Sequence, residues 1–326
     1  MPLSKSSLMA LVMAVCGAFA APTAFAQAYP TKPIQVVVPF PPGGSDANFR
    51  IVSAKLSEEL GKPIVVVNRP GASGVIGSEY VARTEPDGYV LLLTTSSTMI
   101  TRKLLSKATP FDPLKDFTAI GQVYESVLTL AVHPSVPAKT VEEFITYAKR
   151  NPGKLTFGSI GVGSAYHLDG EILKRTAGID MIHVPYKGTG PVMTALLGGE
   201  VHAAFPSLSN IGQMHDAGKV RILAFLDPSS FPGMSHIPSI NRAVPSFTKA
   251  TNWIALFGPA RMPKAVVARL NSAVRTSLES PQVRKALESR GVLIRPGSPE
   301  QLADRMQKDL VETGKLIKEL GIPMED

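Results

Sequence analysis

The sequence predicts an α/β protein of two lobes, with mostly parallel sheets and a hinge of strands that cross between the lobes. Three observations carry this. Short β-branched runs bounded by turn residues recur along the chain, as buried parallel strands do. Amphipathic helical stretches alternate with them. No low-complexity linker divides the 326 residues, so two lobes with separate cores have to be joined by the strands themselves.

The elements follow in order. Lys5, the apolar stretch Leu8 to Ala21 and the A-x-A signal Ala24-Phe25-Ala26 read as a signal peptide over Met1 to Ala26. The apolar stretch is short for a membrane span. Strands are expected at Ile34–Val38, Ile64–Val67, Tyr89–Leu93, Leu128–Val132, Leu155–Phe157, Met181–Val184, Val201–Phe205, Val220–Phe225 and Trp253–Phe257. Phe49, Val52, Leu56 and Leu60 form one apolar helical stripe that stops at Gly61. Thr140 to Glu143 is a capping box for a helix ending before Pro152-Gly153. Ser280-Pro281 and Ser298-Pro299-Glu300-Gln301 are helix starts with proline at the first position. Crossings between lobes are expected near Tyr124 to Leu130 and Lys249 to Ile254. The first lobe then holds residues 27–127 and 251–326, and the second holds residues 128–250.

Composition narrows the function. The single cysteine, Cys16, lies in the leader, so the mature chain has no disulfide, thiol nucleophile or zinc thiolate. Loss of Lys5 lowers the formal charge from +8 to +7. No basic run with interleaved aromatics occurs, which speaks against nucleic acid. His133, His167, His183, His202, His215 and His236 show no H-x-x-x-H spacing, so no metal is expected.

Six Gly/Ser-rich loops each follow a strand, and most precede a helix: residues 41–46, 68–74, 94–98, 158–164, 185–190 and 206–210. In open parallel sheets such loops gather at the carboxyl edge, where ligands bind. Helix starts there offer free N–H groups to anions. Ser45 sits near a G-x-S-x-G pattern, but prolines intervene, Ala47 replaces the second glycine and no late histidine follows. An N-cap role, shared with Asp46, suits it better than nucleophilic attack. Gly71, Gly74 and Gly77 lack the G-x-G spacing of a dinucleotide site and suit close helix packing. His167 lies just inside the helix after Gly163-Ser164, where it is either a surface histidine or a ligand contact. Lys187 is either solvated or a counter-charge. Trp253 reads as core at the lobe junction. The loops look built to hold an anion.

Several stretches in this order resemble one family: Pro39 to Gly44, Asn68 to Ala72, Pro86 to Tyr89, Phe111 to Phe117, the segment Gly158 to Leu168, His183 to Gly188 and Pro263 to Asn271. The chain resembles the Bug-type (TctC-type) periplasmic solute-binding receptors of tripartite tricarboxylate transporters over essentially all of its mature length. The resemblance implies a two-lobed Venus-flytrap fold of the periplasmic-binding-protein kind (type II-like), with a carboxylate gripped between the lobes. By position it implies contacts from Phe40, Gly44, Ser45, Asp46, Ser96, Ser97 and Thr98 in the first lobe. From the second it implies Ser159, Gly163, Ser164, Ala165, His167 and Ser207. The family usually has two residues between the Gly-Gly pair and the aspartate; here only Ser45 intervenes, which leaves open whether Ser45 or Asp46 faces the ligand. Residues 94–98 depart from the family's Gly-Asn-Ser-Gly-Thr, and Pro206 stands where many relatives carry a polar group. The expected function is capture of a mono- or dicarboxylic acid, aromatic acids included, in the periplasm and delivery to membrane transporter subunits. The receptor is expected to be a monomer without catalysis or cofactor. The alternatives are a ligand-loaded sensor for a signalling receptor and a secreted α/β hydrolase.

Overall fold

The computed structural model describes residues 29–227, 231 and 234–324. The expected leader, with its cleavage signal and Cys16, lies outside the described residues. Two sheets organise the chain. The first contains β1 (Ile34–Val38), β2 (Ile64–Asn68), β3 (Val90–Thr95), β4 (Phe117–Ser126), β10 (Trp253–Pro259) and β11 (Val292–Ile294), in the order β11-β4-β10-β3-β1-β2. The second contains β5 (Thr129–Val132), β6 (Leu155–Ser159), β7 (Met181–Pro185), β8 (Ala203–Ala204) and β9 (Arg221–Phe225), in the order β7-β6-β8-β5-β9.

The continuous apolar runs have a direct cause. In β1, Val36 and Val38 enter one core, which also holds Leu91, Leu93 and Leu256, while Val37 enters another with Leu92, Ala255 and Phe257. Successive side chains point to opposite faces, and helices cover both faces, so Val36 to Val38 are apolar without alternation. Helix α1 (Ser45–Leu60) buries Phe49, Val52, Leu56 and Leu60 and stops at Gly61, whose left-handed φ of 66° suits glycine. The second lobe has its own core around Phe144, Phe157, Leu173, Leu196 and Phe205.

The sheets are mixed rather than mostly parallel. Among the named strands of the described residues, parallel pairing is confined to β1 with β2 and β3, and to β6 with β7 and β8. The pairings of β4, β5, β10 and β11 are antiparallel. The crossing strands explain this. β5 and β10 each enter a sheet from the other lobe and run against the βα-unit strands beside them, β8 and β3, while β4, antiparallel to β10, keeps the direction of β3. The chain passes to the second sheet between β4 and β5 and returns through Ala250 into β10. Strand β4 was absent from the expected set because Thr118, Gly121 and Gln122 interrupt its apolar pattern. Gly121 is needed there, because a methyl group would lie 2.5 Å from Asn271 Nδ2 and 2.7 Å from the Gly297 carbonyl. The strand expected over Val201–Phe205 reduces to Ala203–Ala204.

The remaining helices are α2 (Val75–Ala82), α3 (Arg102–Leu105), α4 (Val141–Arg150), α5 (Ala165–Ala177), α6 (Thr189–Leu197), α7 (Leu208–Asp216), α8 (Lys264–Glu279), α9 (Pro281–Glu288) and α10 (Pro299–Leu320). Thr140 accepts from the Glu143 N–H, and Ser298 with Gln301 completes a capping box. Helix α10 braces both crossings. Its Arg305 binds Gln122 and Glu125 of β4 at 2.8 and 2.5 Å. Its Asp309 accepts from Thr251 at 2.8 Å and from the Trp253 indole at 2.7 Å. The end of α10 reaches the second lobe, where Leu316 and Leu320 pack on that core. Among the described residues, no helix is long and apolar enough to cross a membrane.

Candidate functional site

Loops from both sheets meet at one cleft. A methyl group placed on Gly44 would lie 3.9 Å from Thr189 Oγ1 and 4.0 Å from Asn210 Nδ2, both in the second lobe. One placed on Gly161 would lie 3.7 Å from Ser73 Oγ of the first lobe. Gly163 presses hardest, since its methyl would fall 2.6 Å from Leu105 and 3.1 Å from Thr101. The expected loops thus converge, and glycine is what lets their backbones approach.

On the second-lobe side the strand β6 delivers the chain into the start of α5. Ser164 caps this helix: its hydroxyl accepts from the His167 N–H at 3.3 Å and donates to the Gly161 carbonyl at 2.7 Å. Ser159 is fully buried, with its hydroxyl 2.7 Å from His183 Nε2 and 3.1 Å from the Gly161 carbonyl. Both serines are among the contacts the resemblance implies, and each hydroxyl is already engaged within the loop. The N–H groups of Ala165 and Tyr166, at the first two helical positions, have no partner among the described residues. These carry the open end of the helix dipole.

His167 is buried and accepts from the Gly163 N–H at Nδ1 (3.1 Å), so its other nitrogen, Nε2, carries the proton. It stacks on His183 with ring centroids 4.0 Å apart, and His183 stacks in turn on Phe157. Burial first, then His183 and Lys174, pushes His167 down to about 3. Burial and Lys174 push His183 down to about 4. Both imidazoles are therefore neutral near pH 7 and serve as dipolar groups, not cations. Ser207 is buried too, with its N–H on the Tyr166 hydroxyl at 3.0 Å and its Oγ accepting from Asn210 at 2.7 Å.

The first-lobe side is built differently. Gly44, not Ser45 or Asp46, occupies the cap position of α1, at φ 52°, and no side chain caps this helix. Asp46 is buried, and its carboxylate pairs with Arg50 at 3.1 Å and accepts from Asn68 at 3.1 Å. The Ser45 hydroxyl has no partner among the described residues, and its carbonyl accepts from Tyr124 of β4 at 2.8 Å. Ser96 donates to the Thr251 carbonyl at 2.8 Å, and Thr98 to that of Ser73 at 3.0 Å, so both hydroxyls serve the fold. Ser97 is half-buried and its hydroxyl has no partner among the described residues. Phe40 is half-buried against the first-lobe core, and its carbonyl accepts from Asn68 at 3.0 Å.

Ser73, Tyr166, Thr189 and Asn210 also face this region and were not among the expected contacts. Ser73, Thr189 and Asn210 lie in the Gly/Ser loops already singled out, so the loops carried the signal without naming the residue. Tyr166 had none, because an aromatic side chain at a second helical position reads as ordinary packing. Lys187 is exposed, Trp253 is fully buried core, and Gly77 packs α2 against Pro39 and the Arg69 carbonyl. No group of three or more His, Cys, Asp or Glu among the described residues could hold a metal ion.

Residues 48–322 match the model of the tripartite tricarboxylate transporter family receptor. The chain belongs to this receptor family. BugT of Bordetella pertussis is 31% identical over 326 residues, covering 97% of this chain and 99% of BugT. The solved structure of Rpa4515 from R. palustris with adipate is 32% identical, with a TM-score of 0.86 over 90% of this chain and 99% of that one. MatC from Rhodopseudomonas palustris, with bound malate, is 30% identical, with a TM-score of 0.81 over 89% and 100% of the two chains. The solved relatives of this receptor family include a periplasmic binding protein. The two-lobed α/β architecture of this chain, with two mixed sheets, is that of the family.

Proposed function

We propose that this chain is the receptor that captures a small carboxylate between its lobes in the periplasm and hands it to the membrane subunits of a tripartite tricarboxylate-type transporter. The observation that carries this reading is the pair of helix starts, Gly44-Ser45 in one lobe and Ser164 to Tyr166 in the other, opening on one cleft. The unpartnered N–H groups of Ala165 and Tyr166, the Ser45 hydroxyl and the Nε2 of His167 supply donors for an anion. Adipate and malate in two relatives support the same ligand class. Lobe 1 would comprise residues 27–127 and 251–326, and lobe 2 residues 128–250, with the Met1 to Ala26 leader directing export. Pro206 offers no carboxylate for a ligand ammonium, which favours plain acids over aspartate or glutamate.

Binding drives closure because the ligand contacts both lobes only when they are together. Calorimetry with adipate, malate, benzoate, aspartate and glutamate tests the reading. One plain acid should bind at one site per chain, with a smaller radius of gyration by X-ray scattering and no product formed. Binding by none of the acids, turnover, or tighter binding of the amino acids than of matched plain acids overturns it in the corresponding part.

A further inference from the structure

The helix that grips the ligand is also fastened to the hinge. Asp169 lies on α5 five residues beyond the Ser164 cap, and its side chain is fully buried. Its Oδ1 accepts from the Ala250 N–H at 2.7 Å, in the segment that returns the chain to the first lobe. Among the described residues its Oδ2 has no partner, and neither has the buried Oδ2 of Asp227. Lys249, beside Ala250, forms an ion pair with the other oxygen of Asp227. Two buried carboxyl groups therefore share one ammonium, and the cluster is one positive charge short if both ionise.

We propose that Asp169 is a positioning residue that clamps the ligand-gripping helix to the second interlobe crossing, and that its buried carboxyl takes up a proton as the cleft takes up a carboxylate. The proposal rests on the carboxylate-receptor reading above. The charged groups facing Asp169 are Lys249 and Asp227; His167 on its own helix and His183 on β7 stay neutral. Lys249 also faces Glu125 of β4, which is held by Arg305 of α10, while Arg175 and the Glu319 carbonyl meet where α5 touches the end of α10. Burial raises the Asp169 carboxyl to about 7, with Asp227 adding to it and the Ala250 N–H and Lys249 opposing. A second anion at the start of α5 lies about 7.5 Å away along the helix. Like charges at that separation in a protein interior disfavour each other, so ligand and proton bind cooperatively. Protonated, Asp169 still accepts from Ala250 through its carbonyl oxygen, and the clamp holds.

Two measurements test this. The first needs no ligand: thermal unfolding of wild type and Asp169→Asn from pH 5 to 8. A carboxyl raised in the folded state binds its proton there between about pH 4 and 7, so wild type loses stability with rising pH in that window. Asp169→Asn should therefore gain on wild type as pH rises, and Asp227→Asn should move the wild-type midpoint downward. A stability difference that is flat across this range, with no shift from Asp227→Asn, overturns the proposal whatever the ligand is. The second is calorimetry with adipate in buffers of different ionisation heat. Wild type should take up a proton on binding near pH 7, and its affinity should rise roughly four- to eightfold from pH 8 to 6, from Coulomb's law at an effective dielectric constant of about 20 to 40. Both effects should vanish in Asp169→Asn. Binding without proton uptake removes the linkage, whereas failure of every carboxylate to bind removes the receptor reading and leaves the unfolding result to decide on Asp169.

Discussion

Two helix starts face the cleft, and they are made in opposite ways. In the second lobe, Ser164 caps α5, Ser159 binds His183 and Gly163 donates to His167, so the loop is fixed by its own hydrogen bonds. In the first lobe, α1 starts from Gly44 without a side-chain cap, and the Ser45 hydroxyl has no partner among the described residues. One side is preorganised and presents backbone donors. The other presents a free side chain and is steadied from behind by Tyr124 and by the Asp46–Arg50–Asn68 group. Serines at the two sites therefore do different jobs, although both stand in a Gly-Ser stretch before a helix.

The largest expected effect breaks the approach of the two sides. Gly163→Ala puts a methyl group into Leu105 across the lobe interface and onto a backbone with φ 74°. Overpacking of that kind costs about 1–3 kcal/mol, so carboxylate affinity should fall about ten- to hundredfold by calorimetry. Gly44→Ala meets nothing closer than 3.9 Å and should lose less affinity. An equal loss in both variants would mean that backbone conformation, not lobe approach, limits closure.

A smaller effect separates the serines. A hydrogen bond to a charged ligand is worth roughly 1.5–3 kcal/mol, so Ser45→Ala should weaken binding by about tenfold or more, with little change in melting temperature. Ser164→Ala should do the reverse: loss of the cap costs about 1 kcal/mol and lowers the melting temperature of empty protein by about 2–4 °C, with affinity nearly kept. The opposite pattern, affinity lost at Ser164 and stability lost at Ser45, would exchange their roles.

The smallest effect is an absence of titration. With folded values near 3 and 4, His167 and His183 should show neutral ring nitrogen signals by NMR throughout pH 5 to 8. Their folded pKa values lie below the unfolded value of about 6.5, so the unfolded chain binds more protons as pH falls. Stability from this pair is full above about pH 6.5 and is lost as pH falls toward 4. A ring titrating near 6.5 would mean that the stack is solvated and the second-lobe loop less fixed than its hydrogen bonds indicate.

The sequence by itself determined the α/β class, the α1 stripe ending at Gly61, the Thr140 and Ser298 caps, and the Gly/Ser loops that converge on the cleft. These are local matters: side-chain period, capping chemistry and backbone freedom are written in a few adjacent residues. It also carried the family, through short motifs in a fixed order. Tertiary structure alone decided the rest. The polar residues that interrupt strand β4 find their partner only in space, since Gln122 and Glu125 are satisfied by Arg305, some 180 residues away in sequence. The Asp46 carboxylate is engaged by Arg50 and Asn68, which meet it in space. The hydroxyls of Ser159 and Ser164 are engaged by His183 and by a neighbouring carbonyl, which residue type alone does not reveal. A buried polar group takes whichever partner the fold brings to it, and that partner is fixed by long-range packing.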